Sequence, residues 1–292
     1  GQTVSIQGAG WSANYHMGTI TSMTSTSMTF TPVTFTTVTT GKIVRHDDTA
    51  AIQAAINACT NGGTVFIPAG FYRVNSINYA AASGSGRLVL PSWPYSATNQ
   101  AIALRIVGEG NPSIGVTNGC TIIQSDQSLG YILSGKGPSP RVGGGWSDAT
   151  HIWLNLENLL FRTYTNTTIG AVNAQYVAGL TAQDVVFDVG RNSTAGYGAF
   201  TNSLAVPATN NVIQAIVTPG ALNTSANTLR NVSIQGYGIG VRAIDSEHLY
   251  LDKVYITHCN EGLAVSAANH GIIANQLETE YCNYGVYVNV GD

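Results

Sequence analysis

Charge is what this sequence has least of. Only 9% of its 292 residues are Asp, Glu, Lys or Arg, against roughly 25% in an average soluble domain. The solvent-facing surface must therefore be built from Thr, Ser, Asn, Gln, Gly and Tyr. A formal net charge of −3 offers no basic field to nucleic acid or to an anionic membrane, so neither is expected as a partner. Long apolar runs are missing as well. No stretch approaches the roughly 20 residues of a membrane span, so no membrane insertion by a helix is expected. Cysteine is scarce. Cys59, Cys120, Cys259 and Cys282 lack metal-ligand spacing, and four cysteines in so long a chain do not make a disulfide scaffold. No metal or cofactor is implied by any motif.

What is present is patterned, most clearly in residues 47–74, DDTAAIQAAINACTNGGTVFIPAGFYRV. Asp47 or Asp48 can cap free helix N–H groups, and their charge suits the positive end of the helix dipole. Ile52, Ala55, Ile56 and Cys59 fall at i, i+3, i+4 and i+7, which predicts a helix over about 48–59 with one apolar face. Asn61-Gly62-Gly63 stops it. Thr64 to Ile67 and Phe71 to Val74 then read as strands around the turn Pro68-Ala69-Gly70.

The DDTAAIQAAI helix, the Gly-Gly stop and the VFIPAGFYRV strand pair, occurring together and in order, resemble the N-terminal cap of the pectate-lyase superfamily. That resemblance implies an all-β, right-handed parallel β-helix whose capping α-helix plugs the first coil. The superfamily includes phage tailspikes, polysaccharide lyases, glycoside hydrolases and alginate epimerases, so fold alone does not select an activity. Residues 1–40 hold twelve threonines and all three methionines. Patches such as Met28-Thr29-Phe30 and Val33-Thr34-Phe35, with a turn at Ser25-Thr26-Ser27, predict a small β-hairpin leader. The order GAG, GTITSM, SMTFTP and then the cap is similar to leaders of phage tail proteins. The expected organisation is a leader over 1–45 and a β-helix over 46–292, incomplete at its C-terminal end.

Strands are predicted at Arg87–Leu90, Ala101–Val107 and Thr121–Gln124. The loops Pro91–Asn99, with Trp93 and Tyr95, and Gly135–Asp148, with Trp146, are too long for simple corners, and long loops on a rigid scaffold commonly carry binding. From His151 onward an internal repeat is visible. Asn158-Leu-Leu-Phe161, Asp184-Val-Val-Phe187, Asn231-Val-Ser-Ile234, Lys253-Val-Tyr-Ile256 and Gln276-Leu-Glu-Thr279 begin 26, 47, 22 and 23 residues apart. A period near 22 to 23 fits one β-helix coil, and the interval of 47 reads as two, with an extra coil near Val212–Val217. The last three repeats align without gaps. Tyr237, Cys259 and Cys282 stack, as do Gly238, Asn260 and Asn283, and then Gly240, Gly262 and Gly285.

Alternation predicts which side chains leave the core. One outward row is Leu160, Val186, Ser233, Tyr255 and Glu278; the next, more polar, is Arg162, Asp188, Gln235, Thr257 and Glu280. Such a face can act as a groove for an extended sugar chain. Glu278 and Glu280 project to the same side with Cα atoms roughly 7 Å apart. Paired carboxyl groups about 5 to 9.5 Å apart can hydrolyse glycosides, so these two are the candidate catalytic pair. A calcium-dependent lyase of the pectate-lyase pattern would need clustered aspartates and an arginine base, and neither Arg191, Arg230 nor Arg242 has aspartates clustered beside it in the aligned repeats. Binding alone needs aromatic faces and polar groups; the candidates are Trp93, Trp146, Asp188, Tyr255 and Tyr284.

The resemblance, with the low charge, implies a phage tailspike-like or tail-fibre-like protein that binds, and is capable of depolymerising, a cell-surface polysaccharide. It further implies a homotrimer located outside the cell or on a virion. The alternatives are a secreted lyase or hydrolase of the same superfamily and a non-catalytic fibre or virion component.

Overall fold

In the strand Thr150–Tyr164, Ile152, Leu154 and Leu156 are buried at even positions, whereas Leu159 and Phe161 are buried in the same core at odd ones. A strand presents one face at a period of two, so the chain must turn between Leu156 and Leu159. It turns at Asn158, whose φ is 54°. Asn and Asp enter this left-handed region at low cost because a short polar side chain can bond locally. Asp184 and Asn231 take the same corner in the following coils, with φ of 54° and 50°, and Lys253 takes it at 56°. Asn231 Nδ2 donates to Asp184 Oδ1 across the stack. The corner thus folds one hydrogen-bonded sheet into two walls.

The structure is a computed structural model that describes residues 2–6, 16–25, 27–32, 44–59, 61–75, 79–81, 84–91, 102–116, 118–125, 129–135, 150–164, 168–174, 177–190, 214–217, 227–244, 248–266 and 271–289. It is an all-β parallel β-helix. A 10-stranded parallel sheet forms the two walls joined at the Asn158 corner, and an 8-stranded sheet forms the third. All its described pairings between coils are parallel; the 8-stranded sheet ends on one antiparallel hairpin, Tyr79–Ala81 with Gly84–Val89. Ahead of it lies a four-stranded antiparallel sheet of Thr3–Ile6, His16–Met23, Met28–Thr31 and Val44–His46. Its hairpin turns at Thr24–Ser27, where Ser27 N donates to Thr24 Oγ1 at 2.9 Å. Val33-Thr34-Phe35 lies outside the described residues.

The helix spans Thr49–Ala58. Ile52 and Ile56 are buried beneath it, whereas Ala55, predicted on the same face, is exposed. Asp47 Oδ1 accepts from Thr49 N at 3.1 Å and Oδ2 from Asn75 N at 2.9 Å, so this carboxylate ties the helix start to the first coil. Gln53 does the corresponding work at the sheet. Its amide donates to Val89 O and accepts from Val89 N, both at 2.8 Å, as a neighbouring strand would. A side chain therefore satisfies backbone groups that a bare sheet edge would leave open.

The register corrects one sequence expectation. The interval of 47 residues is a single coil, not two, because Val185 pairs directly with Val232 in the 10-stranded sheet. The strand Gln214–Val217, near the predicted extra coil, belongs to that same coil and supplies its rung of the 8-stranded sheet, between Thr168–Asn173 and Ile239–Ile244. The sequence period was masked by length added outside the paired strands.

Inside, side chains of like kind stack from coil to coil. Ile123, Phe161, Phe187, Ile234 and Ile256 form one row, and Phe161 and Phe187 stack with centroids 5.6 Å apart and planes 12° from parallel. At Gly240 a Cβ would meet Gly262 O at 2.6 Å, and at Gly262 it would meet Gly285 O at 2.5 Å, so the close approach of the coils at this corner requires the stacked glycines.

Candidate functional site

A second left-handed corner ends the wide strand in each of the last three described coils. Gly236, His258 and Tyr281 occupy it with φ of 81°, 54° and 50°. The stacking of coils brings the last two side chains together: the His258 and Tyr281 rings lie 4.9 Å apart, 29° from parallel. Tyr281 is 80% exposed, so the pair forms a shelf at the surface.

The strand before the corner supplies polar neighbours. Thr257 pairs in register with Glu280, and Tyr255 with Glu278. Tyr255 Oη donates to Glu280 Oε2 at 2.8 Å, and Thr257 Oγ1 lies 2.7 Å from His258 Nδ1. The Tyr255 phenol is held above its ordinary range, first by burial and then by its bond to Glu280. Glu278 and Glu280 are both exposed on one strand face, as alternation predicts. Just beyond, Tyr284, 54% exposed, meets Tyr287 with ring centroids 5.7 Å apart. The structure therefore gathers Tyr255, Thr257, His258, Glu278, Glu280 and Tyr281 on one short stretch. Aromatic faces there can stack on sugar rings while carboxylates and hydroxyls bond to sugar hydroxyls.

The rest of the polar row does not form an open groove, which corrects the reading of that face. Arg162, Asp188, Gln235 and Thr257 all point outward yet are buried. Over the first of them lies a strap. Glu109 and Cys120 sit at its two ends, where Thr121 N donates to Glu109 O at 3.0 Å and Gly110 bridges to Cys120. Between them Ile114 and Val116 pack on Cys120, Ile122, Leu160 and Val186. Arg162 Nη2 donates to Val116 O at 2.7 Å and pairs with Asp188 Oδ2 at 3.0 Å, while Gly115 N donates to Asp188 Oδ2 at 3.2 Å. Asp188, a sequence candidate for sugar binding, is thus committed to holding the strap. Tyr237 is wholly buried, its hydroxyl 3.4 Å from Thr163 Oγ1. Trp93 and Trp146 lie outside the described residues.

Among the described residues no group of three or more His, Cys, Asp and Glu side chains is placed to hold a metal. His46 Nδ1 meets Asp48 Oδ1 at 2.7 Å, but Asp48 Oδ2 also accepts from Arg73 N at 2.9 Å, which makes this carboxylate part of the cap.

Residues 35–287 match the family described as rhamnogalacturonase A/epimerase, pectate lyase-like. The chain belongs to that family. Membership places it among proteins that act on polysaccharides and agrees with the coil-by-coil register above. No curated protein matches the chain, and no solved structure matches it. The His258–Tyr281 shelf is the feature that sequence reasoning missed. Its signal was the glycine at 236 in the same position of the repeat, which marks a left-handed corner.

Proposed function

We propose that this chain binds a neutral cell-surface polysaccharide at the His258–Tyr281 shelf, in the manner of a phage tailspike or tail-fibre protein, outside the cell or on a virion. The observation that carries this reading is the exposed ring stack beside Tyr255, Glu278 and Glu280. The low charge of the chain supports a neutral glycan over a polyanion, because few cations are available to neutralise one. Tyr281→Ala is expected to weaken binding of purified neutral polysaccharide fragments by at least tenfold, about 1.4 kcal/mol. Isothermal titration calorimetry of wild type and variant measures it. Unchanged affinity in the variant would remove the shelf from the site.

Glycan cleavage is the second reading, favoured by two carboxylates on one strand with Glu280 anchored by a phenol. Glu280→Gln is then expected to abolish release of new reducing ends, by about a hundredfold or more, while fragments still bind. Release that persists in this variant would exclude Glu280 as the acid or base. The tailspike-like reading also carries a homotrimer, and light scattering in dilute buffer should then give three times the chain mass of 30.6 kDa. A particle at the chain mass would instead support a secreted, monomeric polysaccharide-degrading enzyme.

A further inference from the structure

All four cysteines are free thiols, and the repeat brings one pair of them together. Cys259 and Cys282 hold the same position in successive coils, flanked by the registered pairs Thr257 with Glu280 and Glu261 with Tyr284. A strand spacing of about 4.8 Å falls inside the Cα range of disulfides, about 4.4–6.8 Å, and a few tenths of an ångström beyond their usual Cβ range. The Cys282 sulfur leans toward the neighbouring coil. Cys282 Sγ reaches Ile256 O, on the coil that carries Cys259, at 3.9 Å, and Glu280 O at 3.4 Å; Cys259 Sγ donates to Thr257 O at 3.5 Å. At the next position Asn283 Nδ2 donates to Asn260 Oδ1 at 2.9 Å, which holds both corners at coil spacing.

The two thiols are unlike. Cys259 is buried, and burial pushes its thiol well up. Cys282 is half-buried, and its neighbour Cys259 holds its thiol below the ordinary range. Disulfide exchange is carried by the thiolate, so Cys282 is the attacking sulfur and Cys259 the resolving one. Cys120, by contrast, is buried against Ile122 and Leu160, and burial pushes its thiol up.

We propose that Cys282 and Cys259 form a thiol modification site at which a low-molecular-weight disulfide oxidises the pair and staples two successive coils together. The Cys282 thiolate attacks one sulfur of the oxidant, forming a mixed disulfide and releasing the other half as a thiol. Cys259 then attacks Cys282 Sγ, and the second half is expelled as a thiol that takes up the Cys259 proton. The protein dithiol gives up two electrons, and the oxidant leaves as two thiols. The new bond joins the coils on the core side of the corner whose outer side carries His258 and Tyr281.

The test is incubation of the full chain with oxidised glutathione in mildly alkaline buffer, acid quenching, alkylation after unfolding, and peptide mass mapping. The expected result is the loss of two alkylatable thiols and a peptide linking Cys259 to Cys282. Cys259→Ser is expected to accumulate glutathione on Cys282, whereas Cys282→Ser should take up glutathione at Cys259 at least about tenfold more slowly. Far-UV circular dichroism checks that each variant is folded. Independently of the variants, Cys282 in the native wild type should be alkylated faster than Cys259, because solvent reaches Cys282 and its thiol is held below the ordinary range. Four alkylatable thiols after oxidation, a link through Cys59 or Cys120, or attack led by Cys259 would each overturn the proposal.

Discussion

Asp188→Ala is expected to destabilise the protein by about 3–5 kcal/mol, the cost of leaving a buried charge without its partner. The Arg162 and Asp188 side chains are 8% and 4% exposed, and their contact at 3.0 Å lies beneath the strap. Removing the carboxylate strands the guanidinium, whose Nε already lacks a partner. It also removes the acceptor of Gly115 N, so the strap loses one direct tie and keeps the other, Arg162 Nη2 to Val116 O, on a guanidinium no longer braced by Asp188. Urea unfolding of wild type and variant measures the loss, and limited proteolysis reports whether cleavage moves to residues 110–119. The control is the double variant Arg162→Met, Asp188→Leu. Replacing both charges by apolar side chains is expected to cost far less than the single change, because burying an ion pair gains little once desolvation is counted. A single variant as stable as wild type would show that the pair contributes nothing to the strap.

Phe187→Ala is expected to cost a comparable amount, about 3–5 kcal/mol, by a different route. Phe187 is fully buried, stacks on Phe161 of the preceding coil and is in register with Ile234 of the following one. Truncation opens a cavity that the coils cannot close, because their spacing is set by continuous ladders of backbone hydrogen bonds on three walls. Phe161 and Ile234 cannot collapse into the gap without breaking register. Phe187→Leu, which keeps most of the volume, should cost roughly 1–2 kcal/mol. Thermal or urea unfolding of the two variants separates cavity formation from the loss of ring stacking. A Phe187→Ala variant that loses less than about 1 kcal/mol would mean that the solenoid relaxes around the gap.

The coil register was legible because each strand repeats one inward pattern. Val232 and Val254, Ile234 and Ile256, and the stacked asparagines at 260 and 283 lie where the spacing puts them. The direction of side chains was legible for the same reason, and Arg162, Asp188 and Glu280 do point outward. What covers them was not. Ile114 and Val116 lie in a Gly-rich stretch more than forty residues before Leu160, with no periodicity to mark them as a lid. The corner residues were misread for a related reason. Asn158, Asp184 and Asn231 looked like the first residues of strands, and the break in alternation at each is a single-residue shift that a motif written from its own start does not reveal. Lys253 at the same corner carries no left-handed preference at all, and only its place in the repeat identifies it.

The coil of 47 residues has a consequence for how such a surface changes. It still pairs with the coils on either side in both sheets, over a shorter strand in the third wall, so the added length has not displaced it from the stack. Because each rung contacts only the rungs above and below, length can enter or leave between paired strands without retuning the rod. The scaffold and its decoration are therefore separable. Loops could be exchanged between coils, or replaced outright, to redirect recognition from one surface sugar to another while the stacked interior carries on unchanged.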